Sequence, residues 1–216
     1  MRRYGAIIFD LDGTLVHSAP DLHAAANVAL TALGRASLDL ETVTSFVGNG
    51  VGKLIERCLQ ATGPCSPDIQ VTALAIFMDS YNANITTLTR PYPGVVACLT
   101  RLHESDIAMG ICTNKPSGAA DAVCDGLDLT RYFDAIVGAE DGQPKKPDPT
   151  PLMNTIAQLE MQGKKILYVG DSTVDHATAL NAGVDFRLFS GGYLNAAVPD
   201  LRTAQVFDHW SEFCSS

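Results

Sequence analysis

Asp10 and Asp12 stand two residues apart in Asp10-Leu11-Asp12-Gly13-Thr14-Leu15, directly after the apolar run Ala6-Ile7-Ile8-Phe9. Residues i and i+2 share one face of a strand or its extension, so both carboxylates can point at one place. Carboxylates held that close repel unless a cation or a shared proton offsets the charge. Mg²⁺, a hard ion that prefers oxygen ligands, meets that need. The competing reading is a turn whose aspartates bind backbone amides ahead of Gly13.

Further groups suited to chemistry follow other apolar runs. Ile166-Leu167-Tyr168-Val169 leads into Gly170-Asp171-Ser172-Thr173-Val174-Asp175. There Asp171 can complete a magnesium site with Asp10 and Asp12, or it can cap the next helix, as Asp and Ser commonly do. Ser172 and Asp175 then stand behind the site, Asp175 holding Asp171 or a metal-bound water. Ile107 to Cys112 leads into Thr113 and Asn114, whose hydroxyl and amide suit phosphoryl oxygens but equally suit a helix cap. Ala135-Ile136-Val137 leads to a loop with Lys145-Lys146-Pro147. Lys146 can neutralise a phosphoryl group and keep Asp10 ionised, or be a solvated surface lysine.

These four runs are continuously apolar, and a helix-length segment precedes each of the last three, at about 94–104, 117–126 and 149–161. Such alternation predicts a parallel sheet covered on both faces, with ligands beyond the carboxyl ends of its strands. Every polar cluster named above falls at such an end. A helix over about 173–182, a strand over 184–189 and a weaker strand near Gln205-Val206-Phe207 complete the pattern.

Residues 18–88 break the alternation. Leu22, Ala25, Ala26, Ala29, Leu30 and Leu33, then Val51, Leu54, Ile55, Cys58 and Leu59, recur at helical spacing. Gly34 and Gly63-Pro64 suit helix ends. The stretch reads as an all-helical insertion overhanging the strand ends, with Arg90-Pro91-Tyr92-Pro93-Gly94 marking the return to the α/β pattern.

The order Asp-x-Asp, Thr, Lys, Gly-Asp-x-x-x-Asp, each at a strand end, resembles the haloacid dehalogenase superfamily of phosphohydrolases. Longer stretches resemble its phosphoglycolate phosphatases: Asp10 to Val16, Ser18-Ala19-Pro20-Asp21-Leu22, Ser45 to Gly50, Arg90 to Val95, Cys112-Thr113-Asn114-Lys115-Pro116 and Lys146-Pro147-Asp148-Pro149. The resemblance implies an α/β fold with a parallel Rossmann-like sheet sandwiched by helices. It divides the chain into a core (1–16 and 89–216) and an all-helical cap domain (17–88) inserted after the first strand. It also implies Mg²⁺ held by the Asp10 side chain, the Asp12 main-chain carbonyl and Asp171. Asp10 is then the nucleophile and Asp12 the acid and base, while Thr113, Asn114 and Lys146 bind phosphoryl oxygens.

For the substrate's far end, Gly48-Asn49-Gly50 precedes the helix of Val51–Leu59, and free amides at a helix start attract anions. Lys53 on that helix either meets a substrate carboxylate or faces water, and the glycines either bind or only turn. The segment Gly48 to Lys53 fails as a Walker loop, since Leu54 replaces Ser/Thr and Val47 the first Gly. His17 and His176 depart from the superfamily's usual acid and apolar residue.

Composition narrows the remaining classes. The 216 residues are 46% hydrophobic, with a formal charge of −9 and a pI near 4.8, which argues against a nucleic-acid partner, since that would need a basic stripe. An anionic metabolite must therefore be drawn in by local cations or a metal. No segment suits a membrane span or signal peptide. Most of the six cysteines read as small core residues in a reducing, cytoplasmic setting, with no disulfide needed. Monomer and homodimer stay equally open. The rival readings are a sugar-phosphate phosphatase or phosphomutase of the same superfamily and, among non-enzymes, a phosphate-binding or receiver-like signalling domain.

Overall fold

The computed structural model describes residues 4–194, 196–199 and 201–215. Its main sheet is built from β1 (Ala6–Phe9), β4 (Ala108–Pro116), β5 (Ala135–Ala139), β6 (Ile166–Gly170), β7 (Asp185–Phe189) and β8 (Val206–Phe207). All six run parallel, in the order β5-β4-β1-β6-β7-β8. β1 lies between β4 and β6, with Ala6 opposite both Ala108 and Ile166. Its side chains alternate between two cores. Ile7 and Phe9 pack with α5 (Val95–His103), α6 (Ser117–Gly126) and α9 (Trp210–Ser215); Ala6 and Ile8 pack with α7 (Thr150–Gln158) and α8 (Thr173–Ala182). A strand buried on both faces must be apolar at every position, which explains its continuous hydrophobic run.

Between β1 and β4 the chain forms α1 (Ala19–Ala32), α2 (Leu40–Ser45), α3 (Val51–Thr62) and α4 (Pro67–Ala83). They share a second cluster, built on Leu22, Leu30, Val43, Ile55, Leu59 and Phe77, which Ala119 of α6 joins. Spacing marked α1 and α3 but passed over α2 and α4. The signal at α4 was Ser66-Pro67: the Ser66 hydroxyl caps the Ile69 amide, and Pro67 occupies the first turn.

Two features were not expected. First, β2 (Val16–His17) pairs antiparallel with β3 (Arg90–Pro91), making a short ribbon where the chain leaves and re-enters the sheet domain. Buried Asp21 reinforces this crossing by accepting hydrogen bonds from the Leu88 and Thr89 amides and the Thr89 hydroxyl. Second, the expectation that no disulfide forms is corrected at one pair. Cys98 of α5 and Cys214 of α9 are joined, with Cα atoms 5.7 Å apart and a sequence separation of 116. Packing of α9 against α5 creates the proximity, and no local spacing could announce it. Cys58, Cys65, Cys112 and Cys124 remain thiols.

Candidate active site

Strand ends deliver the side chains. Asp10 follows β1, Asp171 follows β6, and Thr113 and Asn114 lie in the last part of β4, where its register with β5 shifts between Cys112 and Pro116. Irregular pairing of this kind re-aims side chains at a strand end. Asp10, Thr113, Asn114, Lys146 and Asp171 are all buried. Asp10, Asp12, Thr113 and Asn114 border a cleft beneath the inserted helices, walled on the far side by Leu22, Val47, Gly48, Gly50, Val51 and Leu54. A second lobe leads from Asp10 and Asp12 to Asp171 and Asn49.

The helix-cap question at β6 has a direct answer. Ser172 is the N-cap of α8, and Asp175 completes a reciprocal capping box with it. Asp171 is left to face the site, where its oxygens accept from the Thr14 hydroxyl at 3.0 Å and the Tyr193 amide at 2.6 Å. Gly192 presses so closely on Asp171 that a Cβ there would collide with it and with the Gly13 carbonyl. Tyr193 was not foreseen; it comes from a loop after β7 that carries no motif. Its hydroxyl also meets the Ala19 amide and His17. His176 packs by its ring on Phe186.

Lys146 is buried, with its ammonium 2.8 Å from Asp10 Oδ1 and 2.7 Å from Asp175 Oδ1. It also donates to the Tyr168 hydroxyl at 2.8 Å. Asp175 holds Lys146 by one oxygen and Ser172 by the other, so of its two expected roles the direct support of Asp171 is corrected. The Asn114 side chain likewise serves Lys146: its oxygen accepts from the Lys146 amide at 2.9 Å and its nitrogen donates to the Lys146 carbonyl at 3.1 Å. A third contact, to the Gly48 carbonyl, fixes the loop from the inserted helices.

Lys53 stands apart. Its ammonium pairs with Glu56 at 2.8 Å on an exposed face, outside the lining of the cleft, which is the water-facing of its two readings. Asn49 is held by Arg57.

Electrostatics set the demand for a cation. Among the described residues, Asp10, Asp171 and Asp175 bring carboxylate oxygens within 4.8 Å of one another. Burial, offset in part by Lys146, pushes the Asp10 carboxyl up to about 6. Burial and then the charges of Asp175 and Asp10 hold Asp171 well above the usual carboxylate range. Asp10 Oδ1 is buried and accepts no well-directed hydrogen bond despite its ion pair with Lys146. Two hard oxygens facing one space with too little positive charge fit a divalent ion such as Mg²⁺. The Asp12 carboxylate lies outside this group, on Lys115.

The family model of the haloacid dehalogenase-like hydrolases matches residues 7–189. The chain belongs to this family. A phosphoglycolate phosphatase of Cereibacter sphaeroides is 47% identical over 95% of this chain and 94% of its own length. One from Rhodospirillum rubrum is 40% identical over 95% and 88%. The crystal structure of a "predicted phosphoglycolate phosphatase" from Haemophilus somnus superposes with a TM-score of 0.92 at 27% identity, covering 100% of this chain and 98% of that one. This hydrolase is therefore an enzyme of the phosphatase type, which removes the receiver-like and silent binding readings. Among its described residues, no helix is long and apolar enough to cross a membrane.

Proposed function

We propose that this hydrolase removes phosphate from a small phosphomonoester, 2-phosphoglycolate, in two steps through an acyl phosphate on Asp10. The observation that carries the reading is the convergence of Asp10, Asp171 and Lys146, buried together at one end of the sheet. Asp10 attacks phosphorus in line with the departing oxygen. Asp12 gives that oxygen a proton, then takes one from the water that hydrolyses the acyl phosphate. Lys146 and Thr113 meet the charge on the equatorial oxygens, while Asn114 keeps the Lys146 backbone in place. Mg²⁺ would be held by Asp10 and Asp171, with the Asp12 main-chain carbonyl as the family resemblance implies, and it lets an anionic nucleophile approach an anionic ester.

Residues 17–88 serve as the cap. Their wall of Leu22, Val47, Val51 and Leu54 leaves room for a small leaving group and shields the attack on phosphorus from bulk solvent. Gly48, Asn49 and Gly50 supply the polar part of that wall, and the similarity to phosphoglycolate phosphatases selects a carboxylated substrate. Four of the six cysteines are thiols, as suits a cytoplasmic setting, while the Cys98–Cys214 bond departs from it.

The test is phosphate release from a panel of small phosphomonoesters with Mg²⁺ and with EDTA. Phosphoglycolate should lead the panel in kcat/KM, and EDTA should abolish turnover until Mg²⁺ is restored. A sugar phosphate in first place rejects the substrate; an unchanged rate in EDTA rejects the metal site. Lys53→Met should change kcat/KM less than about twofold for phosphoglycolate and for an aryl phosphate alike, as suits an exposed i,i+3 pair. A loss confined to phosphoglycolate would place the ammonium at the carboxylate after all.

A further inference from the structure

Lys115 is a buried cation that the mechanism above does not use. It sits two residues beyond Thr113 on β4 and is 4% exposed. Its ammonium donates to both oxygens of Asp12 at 3.1 Å and to the Tyr81 hydroxyl at 2.5 Å. Burial works against its charge, but Asp12 and Tyr81 outweigh that and hold it protonated. A charge in such a place is retained only while its partners stay in reach.

The partners come from two different parts of the molecule. Asp12 follows β1, next to the reacting centre. Tyr81 belongs to the last turn of α4, is 1% exposed, and stacks on Phe77 at 5.6 Å within the core of the inserted helices. Lys115 itself lies 4.8 Å from the centroid of the Tyr81 ring. Asp12 is thus oriented by a lysine whose own position depends on the inserted helices.

We propose that Lys115 and Tyr81 are positioning residues that aim the Asp12 carboxylate at the leaving oxygen, so that proton donation is available only when α4 is seated over the sheet. The proposal rests on the reading of Asp12 as the proton donor and adds how that donor is held. Mechanistically, an acid a fraction of an ångström out of line loses much of its effect, whereas phosphoryl binding by Lys146 and Thr113 is untouched.

Leaving groups separate these functions. An alkyl phosphate needs a proton on its departing oxygen; p-nitrophenyl phosphate, whose phenolate leaves unaided, hardly does. In both cases kcat/KM reports the step that breaks the ester bond and excludes later hydrolysis of the acyl phosphate. Asp12→Asn is the reference and should lower kcat/KM for phosphoglycolate at least about 100-fold more than for p-nitrophenyl phosphate. Tyr81→Phe, which keeps the ring and its packing, should lower the phosphoglycolate value at least about fivefold more than the aryl value. Lys115→Met should widen that gap to about 50-fold. Losses equal on both esters, or no loss, in Tyr81→Phe would overturn the proposal, and this variant decides the matter even where Lys115→Met fails to fold. If Asp12→Asn shows no gap, the proton-donor reading falls first. If it shows the gap and Tyr81→Phe does not, only the link through Lys115 and Tyr81 falls.

Discussion

Asp10→Asn is expected to lower kcat for phosphoglycolate by at least about 10⁴-fold, the scale seen when a covalent nucleophile is removed. The amide keeps the shape of the carboxylate but cannot attack phosphorus. Stability should move the other way. The folded state lifts Asp10 from 3.8 to about 6, chiefly through burial. A carboxyl that binds its proton more tightly when folded contributes stability that is present below its unfolded pKa and lost as pH rises through the folded one. At pH about 7.5 without metal, the ionised group therefore burdens the fold, and an uncharged amide relieves that burden. The variant should melt no lower than the parent under those conditions, and by calorimetry somewhat higher. Brief acid quenching during turnover should leave labelled phosphate on the parent and none on the variant. An active Asp10→Asn protein, or label in both, would move the nucleophile elsewhere.

Lys146→Met is expected to damage both catalysis and the fold. Lys146 is the only cation given to Asp10 and to Asp175 among the described residues, at 2.8 and 2.7 Å, and all three are buried. Removing one partner leaves its buried counter-charges uncompensated, at a cost of about 3–5 kcal/mol. For a chain of this size that corresponds to a melting point lower by roughly 6–20 °C. Activity should fall at least about 10³-fold, because a charge aimed at the equatorial oxygens is lost as well. The acid limb of kcat/KM should move to higher pH at equal Mg²⁺, since Lys146 is the largest influence that lowers the proton affinity of Asp10. Pairing the change with Asp175→Asn removes one orphaned charge; the double variant should recover part of the melting temperature and none of the activity. Recovery of both would make Lys146 a structural residue alone.

The two kinds of effect trace back to two kinds of information. The continuous apolar runs at β1, β4 and β6 could be read directly, because a strand buried on both faces has no polar position to spare. The polar residues after them were equally plain, since strand ends of a parallel sheet lie at one rim whatever the strand order. Helices α1 and α3 showed by their period, whereas α2 is too short for one and the apolar positions of α4 are spread around it.

Local sequence determined which side chains stand at the carboxyl ends of the strands: Asp10, Asp12, Thr113, Asn114 and Asp171, with Lys146 in the loop that returns to them. Tertiary structure decided what each one touches. Lys53 pairs with its own helical neighbour, Asn114 clamps Lys146, and Asp175 divides itself between Lys146 and Ser172. Lys115, Tyr193 and the Cys98–Cys214 bond owe their places to packing across 103, 22 and 116 residues. Period and propensity act over a few residues, while an ion pair forms wherever packing brings its two halves within a few ångströms.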